Sequence, residues 1–266
     1  VKLRELLKFF WDDYIDITPV AHEVHKLLKE RGERITNDHI AFRTFSHSDI
    51  GLDVFENFFK VYGYVKSGEY NFELKKLNAI HLENIIDPSL PKIFISELRY
   101  KELSENSISI IEREITRIKG LSLEELFAQK DIFKVSSIEY KELISESEYA
   151  GWLCALGLRA NHFTVFVNDL KSITGLDELN KLLINKNIPL NKSGGIIKGS
   201  PSEYLEQTST MANKREIKFT DKTMSVPTCY YEFARRYNMP SGELFHGFVT
   251  QSADKIFEST DNELVK

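Results

Sequence analysis

The sequence predicts an α+β protein in which two βαβββ modules pair to form a curved sheet around a metal site. Two observations carry that expectation. A run of strand-like and helix-like stretches occurs twice in the same order, and each copy sets a histidine near the start of its first strand. A unit of this kind has a strand-rich face that cannot be buried alone, so a repeated unit implies a paired fold. The 266 residues are expected to form one metalloenzyme domain. Its parts are N-terminal helices (1–35), a first module (36–100), a helical insert (101–160), a second module (161–240) and a tail (241–266).

Each element has its own signal. The first helix runs from Val1 to about Ile17, with Leu3, Leu6, Leu7 and Phe10 on one apolar face. Thr18-Pro19 supplies an N-cap and a first-turn proline for a second helix that ends near Gly32. Asn37–Thr44 reads as a strand, Gly51 to about Tyr62 as a helix, and Tyr64–Tyr70, Asn78–Glu83 and Lys92–Tyr100 as three further strands. Residues 101–160 carry apolar positions at helical spacing: Ile108, Ile111, Ile115 and Ile118, then Leu121, Leu123 and Leu126. The first pattern then returns, with a strand at Asn161–Asn168 and a helix from Thr174 to about Lys186. Strands are expected near Asn191–Ile197, Arg215–Thr220 and Ser225–Arg236. Letters agree as well as order. Asn-Asp-His39 matches Ala-Asn-His162, and Gly-Leu-Asp opens one helix at Gly51 and the other at Gly175, 12 and 13 residues after the histidine.

Composition narrows the function. Hydrophobic residues at 42% and charged residues at 28% fit a globular chain, and no apolar run reaches the ~18 residues that a membrane helix needs. The N-terminus VKLRELLKFFWDD meets acids early and has no small-residue cleavage site, so it does not read as a signal peptide. A net charge of −5 gives no basic field, which argues against a nucleic-acid partner. Two cysteines, Cys154 and Cys229, make no disulfide framework and suggest a reducing, cytoplasmic setting.

The repeat superposes His39 on His162, and Glu232 in the last strand of the second module completes a set of two histidines and a carboxylate. That set holds divalent iron by one face and leaves positions open for a chelating substrate and oxygen. Strand alternation places His39, Ala41 and Arg43 on one face, His162, Thr164 and Phe166 on another, and Tyr230, Glu232, Ala234 and Arg236 in a third row. The small residues Ala41, Thr164 and Ala234 leave room beside each ligand. Arg43 is suited to pair bidentately with a substrate carboxylate; its alternative is a buried ion pair within the protein. Glu97 is read as the repeat mate of Glu232, and its ligation would close the shell toward Lewis-acid chemistry. The run Glu206–Asn213 lines a pocket or forms a solvated turn. His22 and His25 read as surface, His47, His81 and His246 have no partner motif, and neither cysteine has the basic neighbour of a reactive thiolate.

With these residues in view, the segments NDHIAFRT, RANHFTVFV, LEQTSTMAN and YYEFARRY resemble the 2-oxoadipate dioxygenase/decarboxylase family, also called hydroxyglutarate synthases. That family lies in the vicinal oxygen chelate superfamily, whose glyoxalase-like members are built from paired βαβββ modules. The resemblance spans about residues 30 to 260. It implies that His39, His162 and Glu232 bind Fe(II), that His39 and His162 border the substrate, and that Arg43 is the catalytic arginine that holds the 2-oxo acid. It further implies that O2 and 2-oxoadipate become 2-hydroxyglutarate and CO2. Longer relatives complete their pocket with a C-terminal region, so the ending Leu244–Thr260 is expected to be a short form. The competing classes are a glyoxalase-like isomerase, lyase or hydrolase using Zn(II), Ni(II) or Mn(II), and a binding module without turnover. Glu97 separates the first from the oxygenase; the three retained ligands argue against the second.

Overall fold

The computed structural model describes residues 2–260. The N-terminal helices α1 (Leu3–Ile17) and α2 (Pro19–Glu30) lead into the first module, β1 (Asn37–Phe45), α3 (Leu52–Lys60), β2 (Tyr64–Phe72), β3 (Leu77–Asn84) and β4 (Lys92–Leu98). Four helices form the insert: α4 (Glu105–Ile118), α5 (Leu123–Ala128), α6 (Ser137–Glu146) and α7 (Glu148–Leu156). The second module is β5 (Ala160–Phe166), α8 (Leu176–Asn185), β6 (Lys198–Ser200), β7 (Leu205–Ser209) and β10 (Tyr230–Arg236), with β8 (Lys214–Lys218) and β9 (Thr223–Pro227) between the last two. Helix α9 (Thr250–Phe257) follows.

All strands except β8 and β9 join one sheet in the order β2-β3-β4-β1-β5-β10-β7-β6. Reading outward from the antiparallel β1–β5 pair, each module contributes its first strand, then a parallel closing strand, then two antiparallel ones. The order is the same on both sides of the centre, so the repeat read from the sequence is a structural one.

Alternation decides which side of this sheet is core. Ile40 and Phe42 on β1, Phe163 on β5, and Tyr231 and Phe233 on β10 are buried. Helix α1 covers this back face, with Phe10 edge-on to Phe42 (centroids 5.0 Å) and Trp11 edge-on to Phe163 (5.1 Å). Aromatic pairs of this kind add about 0.5–1.5 kcal/mol each beyond their burial. The insert is a scaffold wall. The Tyr149 hydroxyl on α7 donates to Ser96 O (2.6 Å) and accepts from Thr44 N (3.1 Å), and Trp152 Nε1 donates to Thr228 O (2.6 Å).

Four expectations change at this level. Thr18 precedes Pro19 as expected, but its side chain makes no capping bond. Asn191–Ile197 is not a strand; an isolated bridge joins Leu190, just before it, to Thr210, Asn191 N donates to Ser209 O (2.9 Å), and β6 begins only at Lys198. Ser225–Arg236 is two strands: β9 pairs with β8 in a separate ribbon, and β10 enters the main sheet. Pro227 has no N–H with which to extend a ladder, so the run breaks beside it. The segment Glu206–Asn213, read as a pocket lining or a turn, begins inside β7. Its neighbour β6 carries Gly199, at φ +80°, where a Cβ would stand 2.2 Å from Leu205 O.

Glu33, after α2, ties the N-terminal helices to the second module. Its carboxylate accepts from Lys171 N (2.7 Å), Ser172 N (2.8 Å) and Ser172 Oγ (2.5 Å). Burial would raise its pKa, but the bonds from Ser172 and Lys171 outweigh that and lower it. A depressed carboxylate contributes stability that is fully present above its unfolded pKa, about 4.3, and is lost as pH falls through the folded value. Glu33→Gln should therefore lower the urea midpoint at pH 7 and flatten its fall below about pH 4.3, relative to wild type. Parallel acid limbs for the two proteins would refute this role.

Candidate metal centre

Three side chains from three neighbouring strands meet on the other face of the sheet. His39 comes from β1, His162 from β5 and Glu232 from β10; their ligating atoms lie within 4.8 Å of one another, and all three residues are buried. His39 Nε2 is 3.4 Å from His162 Nε2 and 3.6 Å from Glu232 Oε1, and His162 Nε2 is 3.2 Å from Glu232 Oε2. The strand register explains the meeting. His39 stands beside Thr164, and Glu232 is paired with the same Thr164 from the other side.

The donor set fits a divalent cation. His39 Nδ1 donates to Asp38 Oδ2 (2.7 Å), and His162 Nδ1 donates to Asn161 Oδ1 (3.0 Å). Both rings therefore turn an Nε2 lone pair toward the carboxylate. Glu232 Oε1 accepts from Gln207 Nε2 (2.6 Å), while Glu232 Oε2 has no hydrogen-bond partner. The Thr164 hydroxyl lies 3.1 Å from His39 Nε2, but no donor meets Glu232 Oε2, and a buried carboxylate oxygen left between two imidazole acceptors is what a metal ion resolves. The charge states record the same tension. Burial pushes Glu232 up to about 8 and lowers His39. His162 is held well below its ordinary value by burial, then by His39 and Arg43. Asp38 behaves oppositely: burial would raise it, but the Arg236 guanidinium and the bond from His39 hold it below the usual carboxylate range.

Arg43 lies on the face predicted for it, completely buried. It is held as an internal ion pair, the alternative raised for it: Nη1 donates to Glu148 Oε1 (3.1 Å) and Nη2 to Thr260 Oγ1 (2.9 Å). Its guanidinium carbon lies 4.8 Å from the Tyr149 ring centre and 5.0 Å from that of Trp152. Two neighbouring donors lack partners, Arg43 Nε and the Tyr230 hydroxyl. Tyr230 stacks on His162 with ring centres 4.6 Å apart.

Glu97 does not join the triad. It accepts from Leu52 N (3.0 Å) and Asn78 Nδ2 (3.4 Å), at the start of α3. The register also corrects its place in the repeat. His39 pairs with Lys92 and Ala41 with Phe94; His162 pairs with Tyr230 and Thr164 with Glu232. Phe94 is thus the mate of Glu232, and Glu97 that of Arg235. The pairing shows at the helix starts, where a Cβ on Gly51 would be 3.0 Å from Glu97 Oε2 and one on Gly175 would be 2.1 Å from Arg235 Nη1. A phenyl ring holds the position of a fourth ligand.

The triad is covered from the C-terminal side. Phe248, Ala253, Ile256 and Phe257 join Phe94 and Gln207 around the triad, leaving a cavity of about 20 Å³, room for one water. Four residues of the ending Leu244–Thr260 thus line the cavity. The remaining histidines stay apart from the triad. His22 is exposed, His25 packs against Trp11, and His81 bonds Tyr70 and Glu83. Both cysteines are buried, and burial pushes the Cys229 thiol up to about 12, far from a reactive thiolate.

Fold and site together are those of an enzyme with a candidate metal site: paired βαβββ modules around two buried histidines and a glutamate, with a phenyl ring at the fourth position. Comparison with known proteins agrees. The 2-oxoadipate dioxygenase/decarboxylase family matches over residues 12–134 and 122–246. The chloroplastic 2-oxoadipate dioxygenase/decarboxylase of Arabidopsis thaliana is 35% identical, across 94% of this chain and 75% of that protein. The crystal structure of hydroxyglutarate synthase from Oryza sativa in complex with 2-oxoadipate superposes at a TM-score of 0.92. It is 32% identical and the match covers 98% of this chain and 93% of that one. A Shewanella frigidimarina protein with a provisional hydrolase designation is 44% identical at a TM-score of 0.86, over 93% and 97% of the two chains. The chain belongs to the 2-oxoadipate dioxygenase/decarboxylase family.

Proposed function

We propose that the protein is an Fe(II)-dependent oxygenase that converts a 2-oxo dicarboxylic acid of the 2-oxoadipate type and O2 into the 2-hydroxy acid one carbon shorter and CO2. The atoms balance: the original carboxylate leaves as CO2, one oxygen of O2 completes the carboxylate formed from the keto carbon, and the other becomes the new hydroxyl. The observation that carries this reading is the three-ligand site with Phe94 at the position of a fourth, which keeps a coordination face open. His39, His162 and Glu232 hold the metal, which when bound supplies an open face for the 2-oxo acid and O2 and the electrons that activate O2.

The rest falls to the chain itself. Arg43 binds a substrate carboxylate, using the unpartnered Nε and a fork now shared with Glu148 and Thr260. Tyr230 offers its free hydroxyl to the same anion. Phe94, Phe248, Ile256 and Phe257 exclude water around the reacting carbons. A six-carbon diacid exceeds the 20 Å³ present, so the segment through Phe248 and Phe257 shifts to admit it. Among the described residues no helix is long and apolar enough to cross a membrane. The two buried free thiols suit a reducing compartment, and the cytoplasm remains our assignment.

Oxygen consumption by the anaerobically Fe(II)-loaded protein tests the proposal, with 2-oxoadipate beside a panel of other 2-oxo acids. Uptake matched by CO2 and a hydroxy acid is the expected result. Bound iron with no uptake for any acid would move the site to redox-neutral chemistry.

A further inference from the structure

In each module the ligand histidine follows a residue with no partner across the β1–β5 pair. Asn37 faces Val165 and His39 faces Thr164, so two steps along β1 match one along β5 and Asp38 is bulged. Further on, Ala41 faces His162 and Phe42 faces Ala160, so Asn161 is bulged from the opposite strand. Neighbouring side chains in a regular strand point to opposite faces, and a bulge re-aims one of them. The outcome is the same twice. Asp38 takes the Nδ1 proton of His39 at 2.7 Å, and Asn161 that of His162 at 3.0 Å. Both bulged residues are buried.

The two pairs differ in charge. Asp38 is a carboxylate gripped by Arg236 through Nε (2.6 Å) and Nη2 (2.9 Å), whereas Asn161 is a neutral amide. Arg236 also donates to the carbonyls of Phe245 (3.1 Å) and Gly247 (2.7 Å), and its guanidinium carbon lies 5.1 Å from the Phe248 ring centre. Phe248 in turn packs edge-on against His39 at 4.8 Å.

We propose that Asp38 and Asn161 are the positioning residues of the two histidine ligands, and that Asp38, locked by Arg236, makes His39 the stronger metal donor. This rests on the metal reading given above. Each bulged side chain fixes which ring nitrogen carries the proton and how the ring is turned, so Nε2 is delivered to the metal without reorganisation. A charged acceptor at Nδ1 also raises the electron density at Nε2, which an amide does far less. Arg236 joins this unit to the segment that covers the site, so displacement of Phe245–Phe248 is felt at His39.

Co(II) titration, read by the visible bands of the bound ion, tests the assignment on Asp38→Asn and Asn161→Ala, with urea midpoints measured alongside. Asp38→Asn is expected to weaken Co(II) binding about 10- to 100-fold and to shift the bands. Asn161→Ala should weaken it by a smaller factor. Wild-type affinity and spectrum in both variants would overturn the proposal and leave the bulges as devices that shape the sheet. If Asp38→Asn fails to fold because Arg236 is stranded, Asn161→Ala strands no charge and decides alone. Weakened binding supports the proposal, and unchanged binding overturns it. A wild-type protein that binds no Co(II) would remove the metal reading itself, and the positioning role with it.

Discussion

The His162→Ala protein is expected to fold, to lose stoichiometric iron and to consume no O2 with 2-oxoadipate. His162 is one of the three proposed ligands, and its Nε2 lies within 3.4 Å of both the His39 and the Glu232 candidate ligating atoms. If a binding energy of ~10–16 kcal/mol for a protein-held divalent ion is spread over three ligands, losing one costs about 3–5 kcal/mol, on the order of 10²- to 10⁴-fold in affinity. The fold should persist because the core lies on the opposite face of β5, where Phe163 meets Trp11 and Tyr14. Removing one convergent acceptor also relieves the metal-free cluster. Iron per chain and the urea midpoint, measured on one preparation, separate the two effects. One iron per chain in the variant would sink the assignment.

Arg43→Ala is expected to raise KM for the 2-oxo acid by about 10- to 100-fold, the worth of a charge-assisted hydrogen-bonded pair, with a smaller effect on kcat. A carboxylate held equally in ground and transition states gives that split. Arg43→Lys should recover only part of the loss, because an ammonium keeps the charge and loses the fork. Stability will report separately. Glu148 and Thr260 lose their partner in Arg43→Ala, and Glu148 has 23% of its side chain exposed, so water can partly replace the arginine. Unchanged kinetics with a lowered urea midpoint would confine Arg43 to its internal pair with Glu148.

Much of this site was legible in the letters because symmetry multiplies a weak signal. A single strand histidine says little. His39 and His162 at matched places in a repeat, followed by helices that open on Gly51-Leu52 and Gly175-Leu176, mark both modules and two members of the candidate metal site. Glu232 was legible from its place in the closing strand. Its supposed mate was not. The sequence offers Glu97 as the nearest acid in the first module, but pairing across β1–β4 puts Phe94 opposite Ala41, three residues earlier. Register is a property of two strands, and the letters of one do not contain it.

Similar reasons hid the other partners. Gln207 reaches Glu232 because β7 lies beside β10, while its flanking hydroxyl-rich run reads equally well as a turn. Glu148 and Thr260 meet Arg43 from 105 and 217 residues away. Asp38 and Asn161 sit next to the ligands in sequence, yet ordinary strand alternation would have sent them to the other face. Only the bulges, visible in the cross-strand pairing, bring them back.

The sequence by itself determined the repeated α+β architecture, the two histidines and the glutamate, and the arginine on their face, because periodicity and repetition are local properties of the chain. The tertiary structure alone decided that a phenyl ring blocks the fourth ligand position, that Arg43 rests on Glu148, and that the C-terminal helix covers the metal face. Those are contacts between segments distant in sequence, and their free energy depends on register, bulges and burial that exist only once the sheet has formed.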